Sequence, residues 1–385
     1  MDFDKEITRN GTSSVKHDGR VAYFGTADVL PLWVADMDFA SPEAVTRALQ
    51  ERAAHPVYGY TLYPESAYEA LIAWLKKRHG WEVQREWMIM APGVVPSLFA
   101  SVMAFAKEGE GVIVQPPVYF PFFSAVTTNR RRLVENPLHL AGDRYEIDFE
   151  HLEQCAADGA RFMLFCSPHN PVGRVWSEAE LAGLLRFARR YDVTILADEI
   201  HADLVYPGER HIALAALAGD NDRIITAVAP SKTFNIPGLG LSCVIASHAA
   251  HRHAIQQAFE TLHVGNTNPF SIAAFEAAYR GGEAWLDSLL VYLQGNRDFV
   301  CDYVAQHLPA IKVIQAQGTY LLWLDCRGLG LNDMKLRDFF VREAGVGMNP
   351  GIGFGKNGSG FMRMNIASPR HVLAEALGRI RGALG

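Results

Sequence analysis

The chain has 385 residues, 49% of them hydrophobic and 20% charged, with a formal net charge of −6. That length exceeds what one hydrophobic core usually supports, so two domains are expected, and the composition suits a compact fold with a large interior. The mild acidity, with no basic block beyond Arg130-Arg131-Arg132, argues against a nucleic-acid partner, and no apolar span of about 18 residues suggests a membrane helix.

The N-terminal stretch MDFDKEITRNGTSSVKHD is polar and has no apolar core of a leader peptide. The five cysteines are scattered, and none forms a C-x-x-C pair. That usage favours a reducing compartment over a disulfide framework or a zinc site, so a cytoplasmic location is expected and no metal.

The first helix signal is Ser41-Pro42-Glu43, a capping serine with proline in the first turn, followed by apolar Ala44, Ala48 and Leu49. A second helix is predicted from Glu65 to His79, stopped by Gly80. Short apolar runs then recur between helical stretches, at residues 88–90, 112–114, 162–165, 193–196, 224–228 and 241–246. Runs that are apolar throughout predict strands covered on both faces, and hence a mostly parallel α/β sheet. After Pro269 helices dominate, with a long one from Glu283 to His307 that is a candidate bridge to the C-terminal part. There, strands at 312–314, 320–324 and 361–366, with a helix near 334–343, predict a smaller α+β domain.

Lys232 sits oddly in this pattern. It lies in AVAPSKTFNIPGLGLSC (227–243), just after a run that reads as a buried strand, whereas a lysine normally keeps its ammonium in water. Two neighbouring strands also end in polar residues: one runs into Ser167-Pro-His-Asn170, the other into Asp198-Glu-Ile-His201. Ligands of open α/β sheets bind beyond the carboxyl ends of the strands, so an amide, a carboxylate and an amine would converge on one rim. Taken singly, Asp198 reads as a helix cap or ion-pair member and Lys232 as a surface lysine. Together they match what pyridoxal phosphate requires: an amine for its aldehyde, a carboxylate for its ring nitrogen and a donor for its phenolic oxygen.

SKTFNIPGLG following DEIH resembles the fold-type-I pyridoxal-phosphate enzymes, relatives of the class I and II aminotransferases. Within them the chain resembles the MalY/PatB-type cystathionine β-lyases. The stretches that carry the likeness span nearly the whole chain: PLWVADMDF (31–39), YGYT (58–61), PGVVPS (92–97), QPPVYFPF (115–122), SPHNPVGRVW (167–176), DEIHADLVY (198–206) and GFMRMNIA (360–367). The resemblance implies a large domain with a mostly parallel seven-stranded sheet, residues 46–285. A smaller α+β domain would comprise 1–45 and 286–385.

By the same resemblance Lys232 would hold the cofactor and later move the Cα proton, Asp198 would face the ring nitrogen, and Asn170 would donate to the phenolic oxygen. Tyr119 would stack on the ring. Gly93, Val94 and Val95 lie where a strand runs into a helical stretch, 96–107, so free backbone N–H groups could face the phosphate, joined by the Ser231 hydroxyl. Tyr60 would reach that phosphate from a neighbouring subunit of a homodimer. Arg363, alone in an apolar strand, would grip the substrate carboxylate, with Trp33 and Asp36 near its side chain as an apolar wall and an acid for a distal ammonium.

Two positions depart from the aminotransferases. Three residues after the aspartate they usually carry tyrosine, here His201; eight residues after the lysine they usually carry arginine, here Gly240. Both departures match the lyase branch. Gly353-Phe-Gly355-Lys-Asn-Gly358 fits G-x-G-x-x-G but precedes a strand, so a dinucleotide reading fails. The expected activity is pyridoxal-phosphate-dependent C–S β-elimination from L-cystathionine or related L-cysteine S-conjugates, giving thiol, pyruvate and ammonia. An aminotransferase on the same fold is the alternative, and a silent cofactor-binding regulator is disfavoured by the intact Lys232, Asp198 and Arg363.

Overall fold

The computed structural model describes residues 1–265 and 267–385. Its larger sheet has seven strands: β1 (Met88–Ala91), β2 (Gly111–Val114), β3 (Arg132–Glu135), β4 (Phe162–Cys166), β5 (Thr194–Asp198), β6 (Ile224–Val228) and β7 (Ser242–Ala246). Their order is β1-β7-β6-β5-β4-β2-β3, with only β7 antiparallel to its neighbours. The apolar runs are strands because both faces are covered: every residue of β1, β2, β4, β5, β6 and β7 is buried.

Strand β3 was not legible in the sequence. It is one of the sheet's two edge strands, with only Val134 buried, and Arg-Leu-Val-Glu carries no continuous apolar signal. The basic triplet that runs into it is partly structural: Arg131 donates to the Ala106 carbonyl at the C-terminal end of the helix Val94–Phe105.

A smaller antiparallel sheet follows, with β8 (Lys312–Val313), β9 (Leu321–Asp325), β10 (Asn349–Pro350) and β11 (Phe361–Asn365) in the order β8-β9-β11-β10. The helices that position the site are α1 (Glu43–Ala54), α2 (Glu65–His79), α3 (Val94–Phe105), α4 (Pro230–Thr233) and α5 (Glu283–His307). Gly80 closes α2 in the left-handed conformation that glycine adopts without strain. One cluster of buried side chains runs from Leu71 and Trp74 of α2, past Cys243 of β7 and Leu289 of α5, to Leu321 and Met364 of the small sheet.

Two helix starts differ from expectation. Ser41 does not cap α1; its hydroxyl donates to the Asn235 carbonyl instead, and Pro42 takes the cap position. Helix α3 begins at Val94 rather than at Pro96, because Gly93 is extended and accepts the Ser97 amide and hydroxyl. The N–H groups of Val94 and Val95 therefore lie in the first turn, where a helix leaves its amides free.

Candidate active site

The carboxyl ends of β4, β5 and β6 and the N-terminus of α3 surround a cavity of about 200 Å³. Gly93, Val94, Val95, Tyr119, Asn170, Asp198, His201, Ser231 and Lys232 all line it. Convergence follows from register: Cys166, at the end of β4, lies opposite Asp198, and Asp198 lies opposite Ala227 on β6, a few residues before Lys232.

Asp198 is buried, and its carboxylate accepts a bond from the Ile200 amide at 3.1 Å. Burial pushes its pKa up to about 7, only partly offset by that amide and by Lys232. A carboxylate in this position is stabilised by any cationic N–H entering the cavity. Lys232 Nζ donates to the Ala35 carbonyl at 2.7 Å. Burial, then the nearby Arg363 charge, lowers its pKa to about 8. His201 is held neutral by burial and by the Lys232 and Arg363 charges, with its pKa down at about 3, and its buried Nδ1 has no partner.

Arg363 lies in β11 just behind Asn170. Its Nη1 donates to Asn170 Oδ1 at 3.0 Å, and its Nη2 to the Trp33 carbonyl at 3.0 Å and to Asn349 Oδ1 at 2.7 Å. The guanidinium is buried without a carboxylate among the described residues, its Nε is unpaired, and burial lowers its pKa to about 10. A guanidinium only donates, so the Asn170 amide must turn Oδ1 toward it and leave its NH2 for the cavity.

Four expected site residues, Arg363, Trp33, Asp36 and Tyr60, do not line this cavity. Tyr60 is fully exposed in its own chain, at 104% relative accessibility, and does not line the cavity. Trp33 is buried against Phe24 and Tyr23, with Nε1 donating to the Lys16 carbonyl. Asp36 is not a free acid: Arg9 binds it through two hydrogen bonds, at 2.6 and 2.9 Å. Nothing in PLWVADMDF signals a partner so far upstream.

Sequence reasoning also missed residues. Asn349 lies opposite Arg363 on the adjacent strand, a pairing invisible locally. Asn365, two residues beyond Arg363 in β11, faces the same side and donates to the Val34 and Asp36 carbonyls; the strand period could have found it. Ala35 acts through its carbonyl alone. At Gly240, where the aminotransferases carry arginine, an added Cβ would lie 3.1 Å from the Pro92 carbonyl.

The cavity thus offers a carboxylate for a cationic ring nitrogen, an amide NH2 for an ionised hydroxyl, helix amides for a phosphate and an amine for an aldehyde. The chain belongs to the class I and II aminotransferase family, fold-type-I pyridoxal-phosphate enzymes, whose family description matches residues 27–380. Within it the chain falls with the PatB and MalY C–S lyases. It is 41% identical over 386 residues to cystathionine beta-lyase PatB of Bacillus subtilis, covering 100% of both chains. To Protein MalY of Escherichia coli it is 32% identical over 387 residues, covering 100% of this chain and 99% of the other. Cystalysin from Treponema denticola, whose crystal structure contains pyridoxal 5'-phosphate, superposes with a TM-score of 0.96 at 35% identity, covering 100% and 98%.

Proposed function

We propose that this protein is a pyridoxal-phosphate-dependent C–S β-lyase that converts L-cystathionine, or a related L-cysteine S-conjugate, to thiol, pyruvate and ammonia. The observation that carries the reading is the pairing of a lysine amine of depressed pKa with a buried guanidinium that has no carboxylate of its own. An α-amino acid has the matching parts, a carboxylate for Arg363 and a Cα proton for Lys232.

The buried residues fit the cofactor, since Asp198 and His201 Nδ1 are otherwise left with too few partners. When bound, pyridoxal phosphate supplies an electron sink for the charge left at Cα on proton removal. Asp198 keeps the ring nitrogen protonated. The Asn170 NH2 holds the phenolic oxygen, Tyr119 covers the ring, and the amides of Val94 and Val95, with the Ser231 hydroxyl, hold the phosphate.

Arg363 fixes the substrate carboxylate and thereby turns the Cα–H bond toward Lys232. Lys232 Nζ, released from the Ala35 carbonyl, takes that proton. A pKa near 8 leaves a useful fraction of the amine neutral at physiological pH. A thiolate at Cβ then departs as a stable anion. Arg363 does not itself line the cavity but stands behind Asn170, which does.

The test is product analysis with L-cystathionine, L-cysteine and S-alkyl cysteines. Stoichiometric pyruvate and thiol are expected. Multiple turnovers of L-alanine with 2-oxoglutarate, faster than elimination, would establish the aminotransferase alternative instead.

A further inference from the structure

One half-buried carbonyl oxygen receives two donors, one of them the reacting amine. The Ala35 carbonyl accepts Lys232 Nζ at 2.7 Å and Tyr320 Oη at 2.9 Å. Tyr320 is 1% exposed, immediately before β9, and its ring packs edge-on against His201. Among the described residues its hydroxyl has no other partner.

The residues on either side of the acceptor are held by hydrogen bonds. Asn365 Nδ2 holds the carbonyls on either side, Val34 at 2.6 Å and Asp36 at 2.7 Å. Asn235 grips Met37 through both N–H and C=O, and Arg363 holds Trp33. Residues 33–37 therefore form a strap clamped on both sides, with Ala35 aimed at the lysine.

A tyrosine hydroxyl is costly to bury unless bonded, and phenylalanine would fill the same space. The hydroxyl is spent on an oxygen that Lys232 already satisfies. The second donor matters most when Lys232 leaves. Without a second donor the departing amine would leave the Ala35 carbonyl with no hydrogen-bond partner among the described residues. While both are bound, the hydroxyl also competes for the lone pairs and loosens the carbonyl's hold on the ammonium.

We propose that Tyr320 is a positioning residue for Lys232: it satisfies the Ala35 carbonyl as the amine leaves and weakens that carbonyl's hold on the protonated form. The inference rests on the reading of Lys232 as the group that moves the Cα proton. The charged and titratable groups facing that amine are Arg363, Asp36, Asp198 and His201; Tyr320→Phe leaves all of them in place.

The first measurement needs neither cofactor nor substrate. Cofactor-free protein is pulsed with an amine-acylating reagent from pH 6 to 10, and Lys232 labelling is quantified by peptide mass spectrometry. Tyr320→Phe should raise the labelling midpoint by about half a pH unit or more, a roughly threefold slower reaction at pH 7. With substrate, the α-deuterium isotope effect on kcat should rise in Tyr320→Phe while KM stays within twofold. An unshifted or lowered midpoint would overturn the proposal whatever reaction the enzyme catalyses. A shifted midpoint with no change in isotope effect would place the fault in the assignment of Lys232 as the proton-moving group.

Discussion

Arg363 Nη1 donates to Asn170 Oδ1 at 3.0 Å, and this bond sets which way the Asn170 amide faces. Asn170→Asp puts a carboxylate against the guanidinium and removes the NH2 from the cavity. The new ion pair would compete with the substrate carboxylate. The expected result is a KM for L-cystathionine at least about tenfold higher, with weaker cofactor binding, read by steady-state kinetics and a fluorescence titration. An unchanged KM would remove Arg363 from the substrate site.

Asp198 makes an opposite prediction with and without cofactor. In the cofactor-free protein its folded pKa of about 7 lies above the ordinary aspartate value of 3.8, so the native state binds more protons between those values. Its contribution to stability is fully present below about pH 4 and is lost as pH rises through 7. Cofactor-free Asp198→Asn should therefore match wild type at pH 4 and exceed it at pH 8, by on the order of a few kcal/mol in urea unfolding. The same substitution should nearly abolish lyase activity with cofactor bound. Equal stability across the whole pH range would show that the carboxylate is better solvated than its burial implies.

Asp36 is held by Arg9, with side chains only 14% and 21% exposed. Asp36→Asn should lower stability by about 1–3 kcal/mol, as expected for a largely buried charge-assisted bond. The ratio of kcat/KM for L-cystathionine over L-cysteine should stay within about twofold. A selective loss of L-cystathionine activity would restore Asp36 to the substrate site.

Tyr60 stands fully exposed, with Tyr58 and Leu62 also exposed on the same stretch. If a second copy covers it and its hydroxyl meets the partner's phosphate, Tyr60→Phe should leave the melting temperature of the cofactor-free protein unchanged. Cofactor dissociation should accelerate roughly tenfold or more, about the value of one charge-assisted hydrogen bond. Sedimentation should find a dimer. A fully active monomer is the result that rejects this arrangement.

Much of the site was legible because its signals are local. Strands β4, β5 and β6 announce themselves as unbroken apolar runs, and Asn170, Asp198 and Lys232 stand at or just beyond their ends. A strand covered on both faces carries few polar residues between its ends, so a cluster of them at several strand ends stands out. Helix α5 was equally plain over Glu283–His307. Strand β3 was not, because an edge strand is free to keep charged side chains on its open side.

Only the tertiary structure decided the pairings. The position of Asp36 in PLWVADMDF suggests an acid for a distal ammonium, yet Arg9, 27 residues upstream, binds it. Asn349 meets Arg363 because β10 and β11 are antiparallel neighbours in one register. Ala35 serves through a backbone carbonyl, which every residue has and no side chain advertises. A charge, an amide or a carbonyl binds whatever the fold brings within about 3 Å. Composition and periodicity determine which elements form and which chemical groups they carry. They do not determine which groups from distant segments share a donor, and that is where Lys232, Tyr320 and Ala35 acquire their relationship.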